Sequence, residues 1–230
     1  MRKTYKRKKA LRRKKQRSNT QRKNAGMFSR LAITAATALV FSMIQKTNGH
    51  VVYTVCRGNT CRSPFYASYL ERLLGVGEWI VSSFGTYPRT EGNKMAPESE
   101  KFAKELCKND QECINRVQEH SSSRMNCREI KQQIADGHDI TIIPMDPSVE
   151  YDVTNQISEC FNTNERSHIY ILPNANITDP FPTQGTPLEE QGYKSMRFDV
   201  ERSASNVAET LKGKNGRKLY KHRSYRHKDL

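Results

Sequence analysis

From residue 50 onward the chain alternates short apolar runs with stretches whose apolar residues recur at helical spacing. His50–Val55 (HVVYTV) is a β-branched run that predicts a buried strand. Phe65–Leu74 (FYASYLERLL) has helical periodicity, with Ser63 at the expected N-cap and Pro64 at the first helical position. Gly75-Val76-Gly77 stops it. Glu78–Ser83 predicts a second strand running toward Gly85, and helices are expected around Pro97–Cys107, Gln111–Glu119 and Cys127–Asp136. Asp139–Pro144 (DITIIP) and His168–Leu172 (HIYIL) predict a third and a fourth strand, and Glu189–Leu211 a long terminal helix. Strands alternating with helices make βαβ units. The expected fold is therefore an α/β three-layer sandwich, with a central, mainly four-stranded parallel sheet and helices on both faces. Functional sites in such sheets lie at the carboxyl ends of strands.

Charge changes the picture at the two ends. The 230 residues carry 39 Lys+Arg against 24 Asp+Glu, a net of +15. Residues 1–30 hold 14 basic residues and no acid, and 211–230 hold 8 basic residues and one acid. The remainder, 31–210, has 17 basic and 23 acidic residues, so the central domain is mildly acidic. The division expected is a basic arm with a short apolar segment (1–49), a catalytic domain (50–211) and a basic tail (212–230). Dense like charge with little apolar surface predicts solvated arms suited to nucleic acid or an anionic membrane surface. Residues 31–44 (LAITAATALVFSMI) are uncharged, but as a helix they would span about 21 Å, short of a hydrocarbon core about 30 Å thick. If they did span, the positive-inside rule would hold the arm in the cytosol and export the rest. The expectation is instead an intracellular, reducing placement, with peripheral membrane attachment or none. Two features motivate it: the chemistry below needs a reduced thiol, and the sequon Asn176-Ile177-Thr178 abuts a candidate catalytic aspartate.

Six cysteines in a chain of this length do not suggest a disulfide scaffold, and their spacings suit zinc poorly. Reactivity remains as the reason for at least one. The candidate stands at the end of the first strand, in Cys56-Arg57-Gly58-Asn59-Thr60-Cys61-Arg62-Ser63. A Cys six residues before an Arg is weak evidence alone, and the chain contains a second copy, Cys160 to Arg166. That copy has no glycine, places Glu165 where an anion would sit, and is discarded. In the first copy a buried strand fixes the entry, Gly58 lets the loop curl, and Asn59 tolerates left-handed geometry. Backbone N–H groups of such a loop converge on an oxyanion above a helix N-terminus, and Arg62 offers a planar fork to two phosphoryl oxygens. The same field favours a thiolate at Cys56, which makes it a nucleophile.

The run V-C-R-G-N-T-C-R-S-P resembles the phosphate-binding loop of the low-molecular-weight protein tyrosine phosphatases. Four further segments are similar to that family's, in its order: Ser82-Ser83-Phe84-Gly85-Thr86, His120 to Arg124, Ile142 to Asp146, and Asp179-Pro180. The resemblance covers about residues 50–211. It implies a protein phosphatase that hydrolyses phosphomonoesters through a phosphocysteine. Cys56 would be the nucleophile, Arg62 the phosphate clamp, and Asp179 the general acid and then base. Ser63 would donate to the Cys56 sulfur, and Asn59 would brace the loop through His120 and Ser83. It further implies a disulfide between Cys61 and Cys56 under oxidation, no metal or cofactor, a phosphorylated protein as substrate, and a monomer. Cys107, Cys113 and Cys127 are expected to be inert.

Departures from the family pattern leave the substrate open. Arg57 stands where a small or apolar residue is usual, and Thr60 replaces a bulky aliphatic residue, as in the protein-arginine phosphatase branch. Phe181 is one aromatic where tyrosine-specific members often have two, with Tyr87 available as the other wall. Phosphotyrosine is the first expectation and phosphoarginine the second. An arsenate reductase would need a cysteine pair after the central strand, where this chain has Met145-Asp146-Pro147-Ser148. A non-enzymatic phosphate- or polyanion-binding protein is the remaining alternative.

Overall fold

The computed structural model describes residues 49–75, 79–87 and 91–213. The basic arm, the apolar run at 31–44 and the tail beyond 213 lie outside the described residues. Four strands, β1 (His50–Cys56), β2 (Trp79–Gly85), β3 (Asp139–Pro144) and β4 (Ile169–Ile171), form one sheet in the order β2-β1-β3-β4. All three pairings are parallel, with Cys56 beside Gly85 and His50 beside Asp139. β4 is shorter than its sequence suggests. Bonds from Ile140 N to His168 O and from Leu172 N to Ile142 O carry the pairing one residue further each way.

The sheet is covered on both faces, as a parallel sheet requires. On one side Val52 packs with α1 (Arg62–Leu74), α2 (Pro97–Cys107), α3 (Gln111–Glu119) and α7 (Glu189–Lys212), through residues such as Phe65, Leu70, Phe102, Val117 and Met196. On the other, Val51, Tyr53 and Val55 meet α4 (Cys127–Ala135) and α5 (Pro147–Cys160) through Ile130, Val149, Val153 and Ile157. A single-turn helix, α6 (Thr163–Arg166), leads from α5 to β4. The alternation along β1 sends successive side chains into the two cores. Among the described residues, no helix is long and apolar enough to cross a membrane.

Three expectations need correction. First, α1 begins at Arg62, and its N-cap is Cys61 with no side-chain cap. Ser63 lies inside the helix, and its hydroxyl serves the loop described below. Second, a whole helix, α5, occupies 147–160, where the sequence pattern placed no element. Asp146 caps it by accepting from Ser148 N and Val149 N, and Pro147 opens it. Third, four cysteines are paired. Cys107–Cys113 ties the end of α2 to α3, and Cys127–Cys160 ties the start of α4 to the end of α5. Cys107, Cys113 and Cys127 are thus structural rather than inert free thiols, and Cys160 is withdrawn from any nucleophilic role. Cys127–Cys160 joins residues 33 apart, and in the chain-entropy account a loop of that length contributes about 3 to 4 kcal/mol.

Candidate active site

The chain reverses strand order between β1 and β3, the switch point at which ligands of open parallel sheets bind. The loop Arg57–Cys61 lies there, between the end of β1 and the start of α1. Its carbonyls are engaged from outside. Cys56 O accepts from Thr86 N (3.1 Å), Arg57 O from Tyr87 N (2.9 Å), and Thr60 O from Ala96 N (2.6 Å). Asn59 O lies 2.8 Å from His120 Nε2. That carbonyl can only accept, so the bond fixes the proton of His120 on Nε2. A loop whose carbonyls are drawn outward turns N–H groups toward its centre, which suits it to an anion.

Cys56 lies at that centre, 3% exposed. Its Sγ accepts from Asn59 N at 3.1 Å and from Ser63 Oγ at 3.0 Å. Ser63 has one hydroxyl proton and two further acceptors in reach, Asn59 Oδ1 (2.9 Å) and Phe84 O (3.2 Å). The hydroxyl can serve only one of the three at a time. Asn59 is left-handed (φ 52°), a conformation asparagine tolerates, and its Nδ2 donates to Ser83 O (3.0 Å) and Ser123 O (3.4 Å). Ser83 therefore braces the loop through its backbone carbonyl. Gly85 makes room: a Cβ there would stand 2.9 Å from Arg57 O and 3.3 Å from Asn59 Cβ.

Arg62 is held between two carboxylates. Its Nη1 donates to Asp146 Oδ2 at 2.6 Å and its Nη2 lies 3.1 Å from Asp179 Oδ2. Asp146 divides its labour, because Oδ1 caps α5 while Oδ2 takes the guanidinium. Burial pushes the Asp146 carboxyl up, but bonds from Ser148, Val149 and Arg62 outweigh it and hold it below the ordinary carboxylate value. Asp179 is more exposed, at 44% against 22% for Asp146, and its Oδ1 accepts from Phe181 N at 3.1 Å. Water reaches the Asp179 carboxylate of this pair, so another anion can take its place at the buried Arg62. The sequence reading missed Asp146 as a partner of Arg62. A signal existed, since Asp146-Pro147 repeats the Asp-Pro of Asp179-Pro180.

The remaining candidates line the rim or the back of the loop. Arg57 is exposed, with Cζ 5.8 Å from the centroid of Tyr87. Tyr87 and Phe181 are 39% and 74% exposed, two aromatic edges next to the loop and to Asp179. Gly58 and Thr60 are half-buried in the loop. Cys61 does not pair with Cys56. Its Sγ lies 2.9 Å from Ser99 Oγ and donates to Met196 Sδ at 3.5 Å. Burial pushes the Cys61 thiol up to about 12, against a smaller opposing effect of Ser99, so it stays protonated at neutral pH. Burial also lowers the imidazole of His120, assisted by Lys94 and opposed by the bond to Asn59.

No protein-family model and no curated protein matches this sequence. Solved structures do. Wzb of Vibrio vulnificus, solved with benzylphosphonate, is 20% identical at a TM-score of 0.52, the match covering 71% of this chain and 99% of that one. The low-molecular-weight protein tyrosine phosphatase SP-PTP of Streptococcus pyogenes is 19% identical at 0.54, covering 74% and 99%. The arginine phosphatase YwlE of Geobacillus stearothermophilus is 23% identical at 0.52, covering 76% and 97%. The described domain therefore has the fold of the low-molecular-weight protein tyrosine phosphatases.

Proposed function

We propose that this chain is a low-molecular-weight protein phosphatase that hydrolyses phosphomonoesters through a phosphocysteine, with phosphotyrosine in proteins as its first substrate class. The observation that carries the reading is the convergence of Asn59 N–H and Ser63 O–H on Cys56 Sγ, with Arg62 fixed beside it by Asp146. The substrate phosphoryl group enters the loop and takes the inner amides and the Arg62 fork, displacing the exposed contact of Asp179. Cys56 Sγ attacks phosphorus in line as the bond to the leaving oxygen breaks, and Asp179 gives that oxygen its proton. Asp179 then takes a proton from the water that attacks the phosphocysteine. The S–P bond breaks, phosphate leaves, and Ser63 donates to the departing sulfur. Preorganised donors aimed at the equatorial oxygens supply most of the stabilisation, because they need no reorientation as charge develops.

Tyr87 and Phe181 offer two apolar edges for a phenol ring, which favours phosphotyrosine. The second reading, phosphoarginine, rests on the small polar Thr60 in the loop and on the fold shared with an arginine phosphatase. Turnover of p-nitrophenyl phosphate by the full chain tests the site. Cys56→Ser abolishes it, and Cys160→Ser, assayed at a temperature where the variant stays folded without its disulfide, leaves it near wild type. Equal loss from both changes contradicts the assignment. Comparing phosphotyrosine with phosphoarginine peptides, before and after Thr60→Ile, separates the two substrates.

A further inference from the structure

The six cysteines divide into two populations. Cys107–Cys113 and Cys127–Cys160 are bonded in the helical layers, and Cys56 and Cys61 are free at the loop. Structural disulfides form and persist in oxidising compartments and are rare where glutathione and thioredoxin keep thiols reduced. A second feature points the same way. Asn176-Ile177-Thr178 is an acceptor sequence for N-linked glycan, and the fold presents it. Ala175 N donates to Pro144 O and Ile177 N to Met145 O, which pins both neighbours against the end of β3. Asn176 between them is exposed and left-handed (φ 50°), while Ile177 is buried. A glycan on Asn176 therefore displaces nothing from the core.

We propose that this domain is completed in an oxidising, glycosylating lumen, with two structural disulfides and an N-linked glycan on Asn176 at the rim of the active site. In the glycan step Asn176 Nδ2 bonds to C1 of an oligosaccharide carried on a lipid diphosphate. The C1–oxygen bond to that diphosphate breaks, the amide gives up one proton, and the lipid diphosphate leaves. Each disulfide forms as two thiols surrender two protons and two electrons to an oxidised dithiol catalyst of the lumen. In the folded chain Thr178 N and Oγ1 are bonded to Asp199 Oδ2 (3.1 and 2.5 Å), so the sequon is read before α7 docks.

The arrangement of the N-terminal sequence agrees. Fourteen basic residues without an acid precede the uncharged run 31–44, and where that short run engages the translocation machinery the positive-inside rule holds the arm in the cytosol and sends the following domain into the lumen. Both objections raised from sequence lose force. The sequon stands beside Asp179 in the chain, but its side chain faces solvent. The nucleophile survives oxidising surroundings because Cys56 is buried and the Cys61 thiol is turned to Ser99 and Met196.

The test expresses the full chain, with its own N-terminal segment, in animal cells. A peptide N-glycosidase lowers its apparent mass on a gel, and Asn176→Gln abolishes that shift while both disulfides remain. Peptide mapping without reductant, after alkylation, finds Cys107 joined to Cys113 and Cys127 to Cys160, with Cys56 and Cys61 alkylated. A chain unaffected by the glycosidase, or one in which Cys107, Cys113, Cys127 and Cys160 are alkylated as purified, overturns the proposal.

Discussion

Asp146→Asn isolates one charge at the centre of the site. Wild-type Oδ1 caps α5 through Ser148 N and Val149 N, and Oδ2 accepts from Arg62 Nη1 at 2.6 Å. Asparagine caps a helix about as well as aspartate, so the helix terminus is kept. The atom facing Arg62 becomes an amide N–H₂, which cannot accept. Arg62 is only 7% exposed and then has Asp179, at the mouth, as its remaining carboxylate partner. A hydrogen bond to a charged group contributes about 1.5 to 3 kcal/mol, and each 1.4 kcal/mol is about tenfold in rate. The loss expected in kcat/KM for p-nitrophenyl phosphate is thus about 10- to 100-fold. The folded carboxyl of Asp146 is held below its ordinary value, so its contribution to stability is complete above the unfolded carboxylate value near 3.9. That contribution disappears as the pH falls through the lower folded value, and the variant lacks it. Asp146→Ala removes the cap as well and costs about a further 1 kcal/mol in thermal or urea unfolding. Unchanged kcat/KM in a folded Asp146→Asn protein would show that the loop alone aims Arg62 and would refute this reasoning.

Asp179→Ala slows turnover of esters with poor leaving groups by about 100-fold or more and spares p-nitrophenyl phosphate, whose leaving group needs little protonation. Equal loss on both kinds of ester would remove Asp179 from the acid role. Burial lowers the imidazole of His120 below 6.5, so the unfolded chain takes up that proton more readily and wild-type stability falls as the pH drops below about 6.5. His120→Gln keeps an N–H donor for Asn59 O without a titrating group. Urea unfolding between pH 5 and 7 should then show a flatter profile, and an unaltered slope would contradict the assignment.

Local signals dominated where the sequence was legible. α2, α3 and β3 have the bounds their patterns predict, because each joins a clear apolar face to capping or β-branched residues. α5 was hidden. Thr154 and Asn155 are weak helix formers, and the helix is held by Val149, Val153 and Ile157 packing on the sheet. Ser63-Pro64 gave a sound helix-start signal two positions out of place, because the hydroxyl that would cap the helix is used by Cys56 and Asn59 instead. Cys56 and Arg62 were legible as a pair because they stand at the two ends of one loop. Asp146 was not, since it meets Arg62 across 84 residues and only the sheet brings them together. The disulfides have no sequence signature of their own, and their partners are set by how α2 meets α3 and α4 meets α5.

The central claim is that the phosphoryl group passes through Cys56. Full-length protein mixed with excess p-nitrophenyl phosphate, quenched within a turnover and digested, locates the adduct by mass spectrometry. The account predicts phosphate on the peptide containing Cys56, and none after Cys56→Ser. Phosphate on any other side chain, or continued turnover without that cysteine, would contradict it.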